Sequence, residues 1–259
     1  MIRFISYIYC LLMHFRCALY RNHILKKNHF DIPIISVGNI VVGGTGKTPM
    51  VSWLINHCEN NNIQACIITR GYKRKNKEML VIDGNNKKNQ LYSSKQIGDE
   101  PLLLLNRHPN IKMVIYDNKI KSIKTAIEKL DVDIIILDDG FQSIYVKRDL
   151  DIVMMNADTS KRDLQIIPRG KSRESYRQLQ RADFIIMHNN DLVEHDKGAM
   201  NKINSQNIPT IYTQKQYTVK DENNKIISNI NGLGELIAVC GIGHPSSFLT
   251  ALKQQNLNI

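Results

Sequence analysis

Residues 37–49 read VGNIVVGGTGKTP, a glycine-rich loop that ends in Gly-Lys-Thr. The loop follows the apolar run 32–37, which is typical of a buried strand, and it precedes a helical stretch with Pro49 in its first turn. The order strand, loop, helix predicts a phosphate-binding loop, because free N–H groups at a helix N-terminus bind anions. The predicted phosphate-binding residues are Gly43, Gly44, Thr45, Gly46, Lys47, Thr48 and Pro49.

Two side chains of this loop predict its ligand. A lysine in the position of Lys47 reaches the β- and γ-phosphates of a nucleoside triphosphate, and a hydroxyl in the position of Thr48 binds Mg²⁺. The loop departs from the usual G-x-x-x-x-G-K-[ST] pattern, since Val41 stands where the first glycine is expected. Because Gly-Lys-Thr alone is common in loops, the prediction of nucleotide binding depends on the flanking strand and helix.

A second strand pattern ends in two carboxylates. Residues 133–140 read DIIILDDG, an apolar run followed by Asp138 and Asp139. In phosphate-loop enzymes an acid at the end of such a strand completes the Mg²⁺ site that the loop threonine begins. A plain Asp-Asp-Gly turn is the alternative interpretation. The phosphate-binding loop earlier in the chain favours the metal site.

The composition is that of a globular chain with anionic partners. Its 259 residues are 42% hydrophobic and 23% charged, and the formal net charge is +11. Nucleic acid, phosphorylated substrates and an acidic bilayer all fit this charge. The lysines are dispersed without interleaved aromatic residues, so no nucleic-acid partner is expected. The five cysteines show neither a CxxC pair nor metal-ligand spacing, which indicates a reducing cytosol.

Residues 1–27 are predicted to form an amphipathic, membrane-associating helix. The segment 4–15 carries no formally charged side chain, and apolar residues recur at helical spacing from Phe4 to Leu19. An apolar stripe with trailing cations is what an interfacial helix needs at an anionic bilayer. The apolar segment is too short to span a bilayer, and no small-residue cleavage site marks a signal peptide. A core helix packed on the body is the alternative. The trailing cations are Arg16, Arg21, Lys26 and Lys27.

Strands and helices alternate along most of the remaining chain. This alternation predicts an α/β fold of the P-loop NTPase type, with a mostly parallel sheet, helices on both faces and the ligand at the carboxyl ends of the strands. The predicted strands are 32–37, 64–69, 111–115, 133–137, 151–155 and 184–187, and the predicted helices are 48–60, 99–107 and 119–130.

Several motifs resemble, in their order, those of the tetraacyldisaccharide 4'-kinases, the lipid A 4'-kinases of Gram-negative bacteria. The departure at Val41 matches the phosphate loop of this family, so it supports the resemblance. The resemblance runs from the N-terminal helix to about Leu252. The other matching motifs are 69–72 (TRGY), 98–101 (GDEP), 137–142 (LDDGFQ), 148–151 (RDLD) and 241–245 (GIGHP).

The resemblance implies an activity and a location. The implied reaction transfers the γ-phosphoryl group of ATP, with Mg²⁺, to the 4'-hydroxyl of a tetraacylated glucosamine disaccharide 1-phosphate in lipid A biosynthesis. The implied partners are this acylated lipid and the anionic surface of the inner membrane, at whose cytoplasmic face the protein is expected as a peripheral or shallowly anchored enzyme. The implied fold has a P-loop domain and a smaller α/β domain, with the site between them.

The resemblance also assigns roles to single residues. A sugar hydroxyl is a weak nucleophile, so a carboxylate that accepts its proton and an imidazole that orients this carboxylate are expected. By resemblance, Asp99 is the base and His244 its partner. A helix-start acid and an ordinary loop histidine are the alternatives.

Further assignments complete the predicted site. Lys47 and Arg173 join the catalytic set, because Arg173 can stabilise negative charge on the phosphates or the substrate. The predicted Mg²⁺ ligands, directly or through water, are Thr48, Glu100, Asp138 and Asp139.

The sequence also departs from the family pattern. Lys171 and Ser172 stand where Pro-Leu is usual, and Ser143 stands where many members carry His. Since the family continues well past position 259, the chain is expected to be truncated. An inactive relative of the kinase therefore stays open as an alternative, and so does a P-loop NTPase of the metallochaperone or partition type.

The pattern changes after Pro209 and predicts a second unit. Residues 210–220 and 225–230 alternate like two antiparallel strands, and 235–241 and 246–255 predict a strand and a helix. The expected organisation is a membrane helix at 1–27, a P-loop kinase domain at 28–209, a β-ribbon linker at 210–232 and part of a smaller α/β domain at 233–259.

Overall fold

The structure is a computed structural model, and it describes residues 1–84, 92–189, 196–214, 219–223, 225–227, 237–240, 248–249 and 252–253. Its strands are β1 (Ile34–Gly38), β2 (Ala65–Thr69), β3 (Leu80–Asp83), β4 (Lys112–Ile115), β5 (Ile134–Asp138), β6 (Leu150–Asn156), β7 (Phe184–Asn189) and β8 (Thr210–Gln214). Its α-helices are α1 (Ile2–Arg21), α2 (Lys47–Asn60), α3 (Ser94–Ile97), α4 (Asp99–Arg107), α5 (Lys119–Lys129) and α6 (Lys197–Asn204), and a 3₁₀ helix covers Tyr176–Arg181.

The eight strands within the described residues belong to one sheet in the order β3-β4-β2-β5-β1-β6-β7-β8. Neighbouring strands run parallel, except that β3 is antiparallel to β4. All five residues of β2 are buried, as expected for a parallel strand covered on both faces. The predicted α/β fold with a mostly parallel sheet is confirmed.

The register of the central strands brings the two sequence motifs together. Strand β1 lies between β5 and β6, with Val37 opposite Asp138 and Gly38 opposite Val153. Because parallel strands end at the same edge, the phosphate-binding loop after β1 and the carboxylates after β5 emerge side by side. This carboxyl edge is where the candidate site lies.

Two predictions for the last fifty residues are wrong for the described residues. Residues 210–214 form β8, which pairs in parallel with β7 at the sheet edge instead of starting an antiparallel ribbon. A half-exposed edge strand shows the same alternation as a ribbon, so the sequence pattern could not separate them. Residues 237–240, which lie within the predicted strand 235–241, do not form a strand. The Ile237 side chain is 94% exposed, so it does not pack against any described element.

Other elements near the chain end agree with the prediction or were missed. Lys220 and Ile226 form an antiparallel bridge around the predicted polar turn. Within the predicted helix 246–255, residues 248–249 and 252–253 are helical. Strand β3, helices α3 and α6 and the 3₁₀ helix were not predicted. Strand β3 is only partly buried, and helices of four to eight residues are too short to show a clear helical period.

Helix α1 lies on the body along one side and leaves its apolar side exposed. The Ser6 hydroxyl accepts a hydrogen bond from the backbone N–H of Arg169 (3.2 Å), and Arg181 contacts the Cys17 Sγ (3.1 Å). Its exposed side chains include Phe4 (67%), Leu11 (60%), Leu12 (60%) and Phe15 (62%). The helix is long and apolar enough to cross a membrane by length and composition alone, a test that signal sequences also pass.

Candidate active site

The glycine-rich loop adopts a conformation that requires glycine at two positions. Gly43 has a φ of 132° and Gly46 a φ of 84°, values that side chains with a Cβ rarely adopt. Gly46 is the N-cap of α2, so the helix begins with its free N–H groups at the loop. The Asn39 side chain donates a hydrogen bond to the Thr45 hydroxyl (2.8 Å), and the Asn156 side chain donates to the Gly44 carbonyl (3.2 Å). The loop is therefore preformed for an anion.

Val41, which replaces the expected first glycine, has a structural explanation. Residues 40–42 are hydrogen-bonded to 171–173: the Val42 N–H donates to the Lys171 carbonyl (2.8 Å), and the Arg173 N–H donates to the Ile40 carbonyl (2.7 Å). Val41 itself bridges Ser172 and is buried. A valine suits this strand-like pairing, whereas a glycine would weaken it.

The same pairing brings Arg173 to the carboxylates after β5. Its guanidinium donates two hydrogen bonds to Asp139, at 2.7 Å to Oδ2 and 2.8 Å to Oδ1, and it also contacts Asn39. Lys47 Nζ lies 3.8 Å from the same carboxylate. Burial disfavours the charged carboxylate, but these cations outweigh it and lower the pKa of Asp139 to about 2. Lys47, Asp139 and Arg173, all predicted site residues, thus form one cluster.

Asp138 and Asp139 face different partners although they are adjacent. Asp139 has a φ of 53°, in the left-handed region, so the chain turns sharply after β5. Asp138 is buried and accepts a hydrogen bond from the Thr69 hydroxyl at the end of β2 (2.9 Å). Burial raises the pKa of Asp138, against the opposing effect of the nearby Lys119 charge.

Lys119 is a site residue that the sequence analysis missed. Its side chain is fully buried, and Nζ donates to the backbone carbonyls of Asp138 and Asp139, the latter at 3.2 Å. Burial lowers the pKa of Lys119 to about 8, although both neighbouring carboxylates favour its charged form. The sequence did hold a signal, because Lys119 opens a helix that directly follows a parallel strand and so lies at the carboxyl edge.

The start of α4 supplies two further carboxylates. Gly98, with a φ of 97°, precedes Asp99 and Glu100 in the first turn of the helix. Glu100 lines the cavity at the phosphate-binding loop. Partial burial and the nearby Asp138 carboxylate raise the pKa of Glu100, and Lys47 opposes this shift. The Asp99 side chain is exposed at the first position of α4.

A cavity of about 550 Å³ extends from the loop across the sheet edge. The loop residues 43–49 and Glu100 form its polar end. Trp53, Met154 and Ile186 form an apolar wall of the cavity, with Met154 beside Gly46 of the loop, and Trp53 is 58% exposed. This combination of anion-binding loop and apolar wall suits a nucleotide, whose phosphates and base need different surroundings. Trp53 was not predicted as a site residue.

The structure therefore describes most, but not all, of the predicted site residues. Lys47, Thr48, Glu100 and the Asp138-Asp139 pair lie around one edge of the sheet with Arg173, whereas His244 lies outside the described residues. Within the described ranges, no group of three or more His, Cys, Asp or Glu side chains could hold a metal ion by itself.

Sequence comparisons identify similar proteins along the whole chain. The sequence profile described as Tetraacyldisaccharide-1-P 4'-kinase (LpxK) matches residues 1–259. The Tetraacyldisaccharide 4'-kinase of Desulfotalea psychrophila is 32% identical over 263 residues, which cover 98% of this chain and 74% of that protein. The enzyme of the same name from Aquifex aeolicus is 38% identical over 186 residues, which cover 70% of this chain and 56% of that protein.

One solved structure is similar across nearly the whole chain. It is the crystal structure of LpxK from Aquifex aeolicus in complex with ATP, with a TM-score of 0.76 and 32% sequence identity. The similarity covers 98% of this chain and 78% of that chain. A relationship in sequence and a relationship in fold therefore point to the same group of proteins.

Proposed function

Because the chain belongs to the Tetraacyldisaccharide-1-P 4'-kinase family, it is an ATP-dependent 4'-kinase of an acylated disaccharide, and we propose that the transfer takes place at the carboxyl edge of its sheet. The resemblance inferred from the motifs is confirmed. The metallochaperone and partition alternatives are set aside by the same finding. One observation carries the proposed site: Lys47, Asp139 and Arg173 meet beside the phosphate-binding loop.

The loop and α2 would hold the phosphates of ATP. Its backbone N–H groups and the N-terminus of α2 attract the β- and γ-phosphates, and Lys47 adds a mobile positive charge. In the structure Lys47 and Arg173 both face Asp139. Phosphate oxygens compete for these two cations, so both side chains can turn to the nucleotide and neutralise charge there.

The apolar wall of the cavity would take the adenine. Trp53 offers an exposed aromatic face, and Met154 and Ile186 add apolar surface. Aromatic and thioether groups pack well against a planar base. This division places the base away from the carboxylates and the triphosphate next to them.

The residues present fit Mg²⁺. This ion keeps several waters and takes oxygens from phosphates, so it needs only one or two protein carboxylates. Thr48 and Asp138 would hold it, and Asp139 would become available once Arg173 and Lys47 have turned to the nucleotide. Glu100 would contribute through water. When bound, the ion neutralises charge on the transferred phosphoryl group.

Asp99 would act as the general base. Its exposed carboxylate stands at the first position of α4, adjacent in sequence to Glu100, which lines the cavity, so an acceptor hydroxyl could reach it from solvent. A carboxylate within hydrogen-bond distance of that hydroxyl accepts its proton as the bond to phosphorus forms. His244 would orient this carboxylate, and this pairing rests on the family resemblance.

Helix α1 would hold the protein at the membrane that contains the lipid acceptor. Its exposed Phe4, Leu11, Leu12 and Phe15 form an apolar side that water solvates poorly. Cations follow at the end of the helix and would meet anionic lipid head groups. We therefore propose that the protein acts at the cytoplasmic face of the inner membrane, where ATP is available.

The deciding experiment measures phosphate transfer directly. Purified protein is incubated with ATP, Mg²⁺ and tetraacyldisaccharide 1-phosphate in detergent, and the 4'-phosphorylated product is followed. Lys47→Ala should lower kcat by about a thousandfold or more with an unchanged Tm, because Lys47 handles phosphate charge and not packing. Lys124→Ala, an exposed lysine of α5, is the matched control. Near wild-type turnover of Lys47→Ala would exclude the proposed site, and an inactive wild type would support the inactive-relative alternative.

A further inference from the structure

A second cavity, of about 760 Å³, lies at the amino edge of the sheet, opposite the phosphate-binding loop. Its lining includes Asp151 near the start of β6 and Asp183 just before β7. The other walls come from the second half of α1, the loop 144–149 and the 3₁₀ helix. This α1 cavity is used by no step of the proposed phosphoryl transfer.

The carboxylates of the α1 cavity are already engaged. Six cationic side chains and three carboxylates line it. Asp149 accepts a hydrogen bond from the first N–H of β1 (2.9 Å), and Asp183 accepts one from the N–H of Asp151 (2.8 Å). Asp151 itself forms a buried ion pair with Arg148 (2.5 Å). Backbone N–H groups leave the carboxylates of Asp149 and Asp183 charged, but six cations against three carboxylates still give the lining a net positive charge of three, with histidines counted as neutral.

The remaining charge of the cavity is positive and unpaired. Four of its cations form no ion pair with any residue in the described ranges, namely Arg21, Lys27, Lys147 and Arg177. Arg181 pairs with Glu174, but its buried Nε–H has no hydrogen-bond partner within the described part of the chain. Burial, with the charges of Arg148 and Arg181, lowers the pKa of Lys27. An anion in the cavity would remove this repulsion.

We propose that the α1 cavity binds the phosphate of an anionic phospholipid head group. A phosphate offers several acceptor oxygens, which suit guanidinium forks and ammonium groups converging from different elements. The volume is that of a small-molecule site, large enough for a phosphate and its glycerol substituents. The ligand is a bystander lipid of the membrane and not the phosphoryl acceptor.

The position of α1 favours a lipid over a free anion, and this step rests on the proposed membrane attachment. At 3.6 residues per turn, Phe4, Leu11 and Phe15 share one side of α1, whereas the cavity-lining Cys17 and Arg21 lie on another. A helix is about 10 Å across, and an interfacial helix enters the acyl boundary by about 5–10 Å. With the apolar side inserted, the cavity side lies at the level of the lipid head groups.

The test uses soluble lipids, so that it needs no membrane. The full chain is titrated by calorimetry with dihexanoyl phosphatidylglycerol below its micelle concentration, with dihexanoyl phosphatidylcholine and with inorganic phosphate. We expect saturable, one-to-one binding of phosphatidylglycerol and much weaker binding of the other two. The cavity pair Lys27→Gln/Arg177→Gln should weaken the Kd about tenfold or more, and the equally charged control pair Lys124→Gln/Arg162→Gln, at exposed residues outside the cavity, should leave it unchanged.

Three results would overturn the proposal. Absence of saturable binding, or an equal loss of phosphatidylglycerol affinity in both double variants, would show that the cavity is no specific site and that binding depends on surface charge in general. Equal affinity for inorganic phosphate would make it a site for free anions. A raised KM for the tetraacylated acceptor in the cavity pair, with the KM for ATP unchanged, would assign the cavity to the substrate.

Failure of this inference can be separated from failure of the proposed function. Sedimentation with neutral phosphatidylcholine vesicles tests the apolar side of α1 through Leu11→Ser/Leu12→Ser/Phe15→Ser and involves no anionic lipid. Kinase activity in detergent tests the catalytic edge and requires neither vesicles nor the α1 cavity. The calorimetric titration alone reports on the cavity.

Discussion

At the carboxyl edge of the sheet, Arg173 binds both oxygens of Asp139 and Lys47 lies 3.8 Å away, whereas at the amino edge Lys27 and Arg177 have no carboxylate partner within the described residues. The two edges belong to the same parallel sheet and lie at opposite ends of its strands. They nevertheless arrange their cations differently, although the amino edge also holds the buried ion pair of Arg148 with Asp151.

The difference follows from burial. Lys47, Asp139 and Arg173 at the carboxyl edge are partly buried, and a charge that loses water without gaining a partner is costly, so these three pair with each other. Lys27 and Arg177 at the amino edge are more exposed to water, so they can stay unpaired at a lower cost. The paired cluster at the carboxyl edge suits a site whose side chains exchange partners during a reaction. The unpaired cations of the α1 cavity suit a site that binds an anion.

The largest expected effect among the remaining tests is that of the proposed base. Asp99→Asn should lower kcat by about a hundredfold or more, the range of general base catalysis, with little change in the KM for ATP. Glu128→Gln, an exposed acid of α5, is the control. A kcat within about twofold of wild type would show that the carboxyl edge binds nucleotide without Asp99 taking part in the chemistry.

Substitutions on the apolar side of α1 test whether membrane attachment depends on this helix, which borders the amino edge, and not on the carboxyl edge. The triple variant Leu11→Ser/Leu12→Ser/Phe15→Ser should lose on the order of 3 kcal/mol of membrane affinity, about a hundredfold in vesicle partition. ATP binding should not change, because the nucleotide site lies elsewhere. Ile127→Ser, at an exposed apolar residue of α5, is the control. Co-sedimentation equal to wild type would make α1 an ordinary surface helix.

The pH dependence of stability and of kcat/KM tests the effect of burial on the charge of Lys119. Its pKa of about 8 lies below the ordinary value of 10.5, so between these values the folded protein binds fewer protons than the unfolded chain, and stability rises with pH. Over the same range the positive charge beside Asp138 is lost, so kcat/KM should fall above pH about 8 while Tm rises.

Lys119→Met provides the matched comparison. At neutral pH this variant should be about tenfold less active than wild type, because the charge is missing beside both carboxylates. Its kcat/KM should show no alkaline fall. An alkaline fall that persists in Lys119→Met would assign that titration to another group.

The smallest effect concerns the apolar wall of the nucleotide cavity. Trp53→Ala should raise the Kd for ATP about threefold to tenfold, the usual worth of aromatic stacking, and leave kcat nearly unchanged. His57→Ala, which removes the ring stacked on Trp53 outside the cavity, is the control. Since Trp53 is the single tryptophan, its fluorescence should also change on ATP binding. If the fluorescence does not change on ATP binding and Trp53→Ala has an unchanged Kd for ATP, the adenine lies elsewhere.

Much of the fold could be predicted because its signals are local. The predicted helix 99–107 matches α4 residue for residue, and the predicted strands at β1, β2 and β4 to β7 fall within two residues of their observed ends. Continuous apolar runs between turn residues specify buried parallel strands wherever they occur. β8 was misassigned because its alternating pattern does not depend on which strand lies beside it.

The sequence by itself determined the phosphate-binding loop, the Asp-Asp pair after β5 and the family, since each is written in consecutive residues with a fixed spacing. Only the tertiary structure decided that Arg173 pairs with Asp139, that Lys119 is buried beneath both carboxylates, and that four unpaired cations surround one cavity beside α1. These contacts join residues far apart in the chain. Their charge states depend on burial and on neighbours, which a linear pattern does not specify.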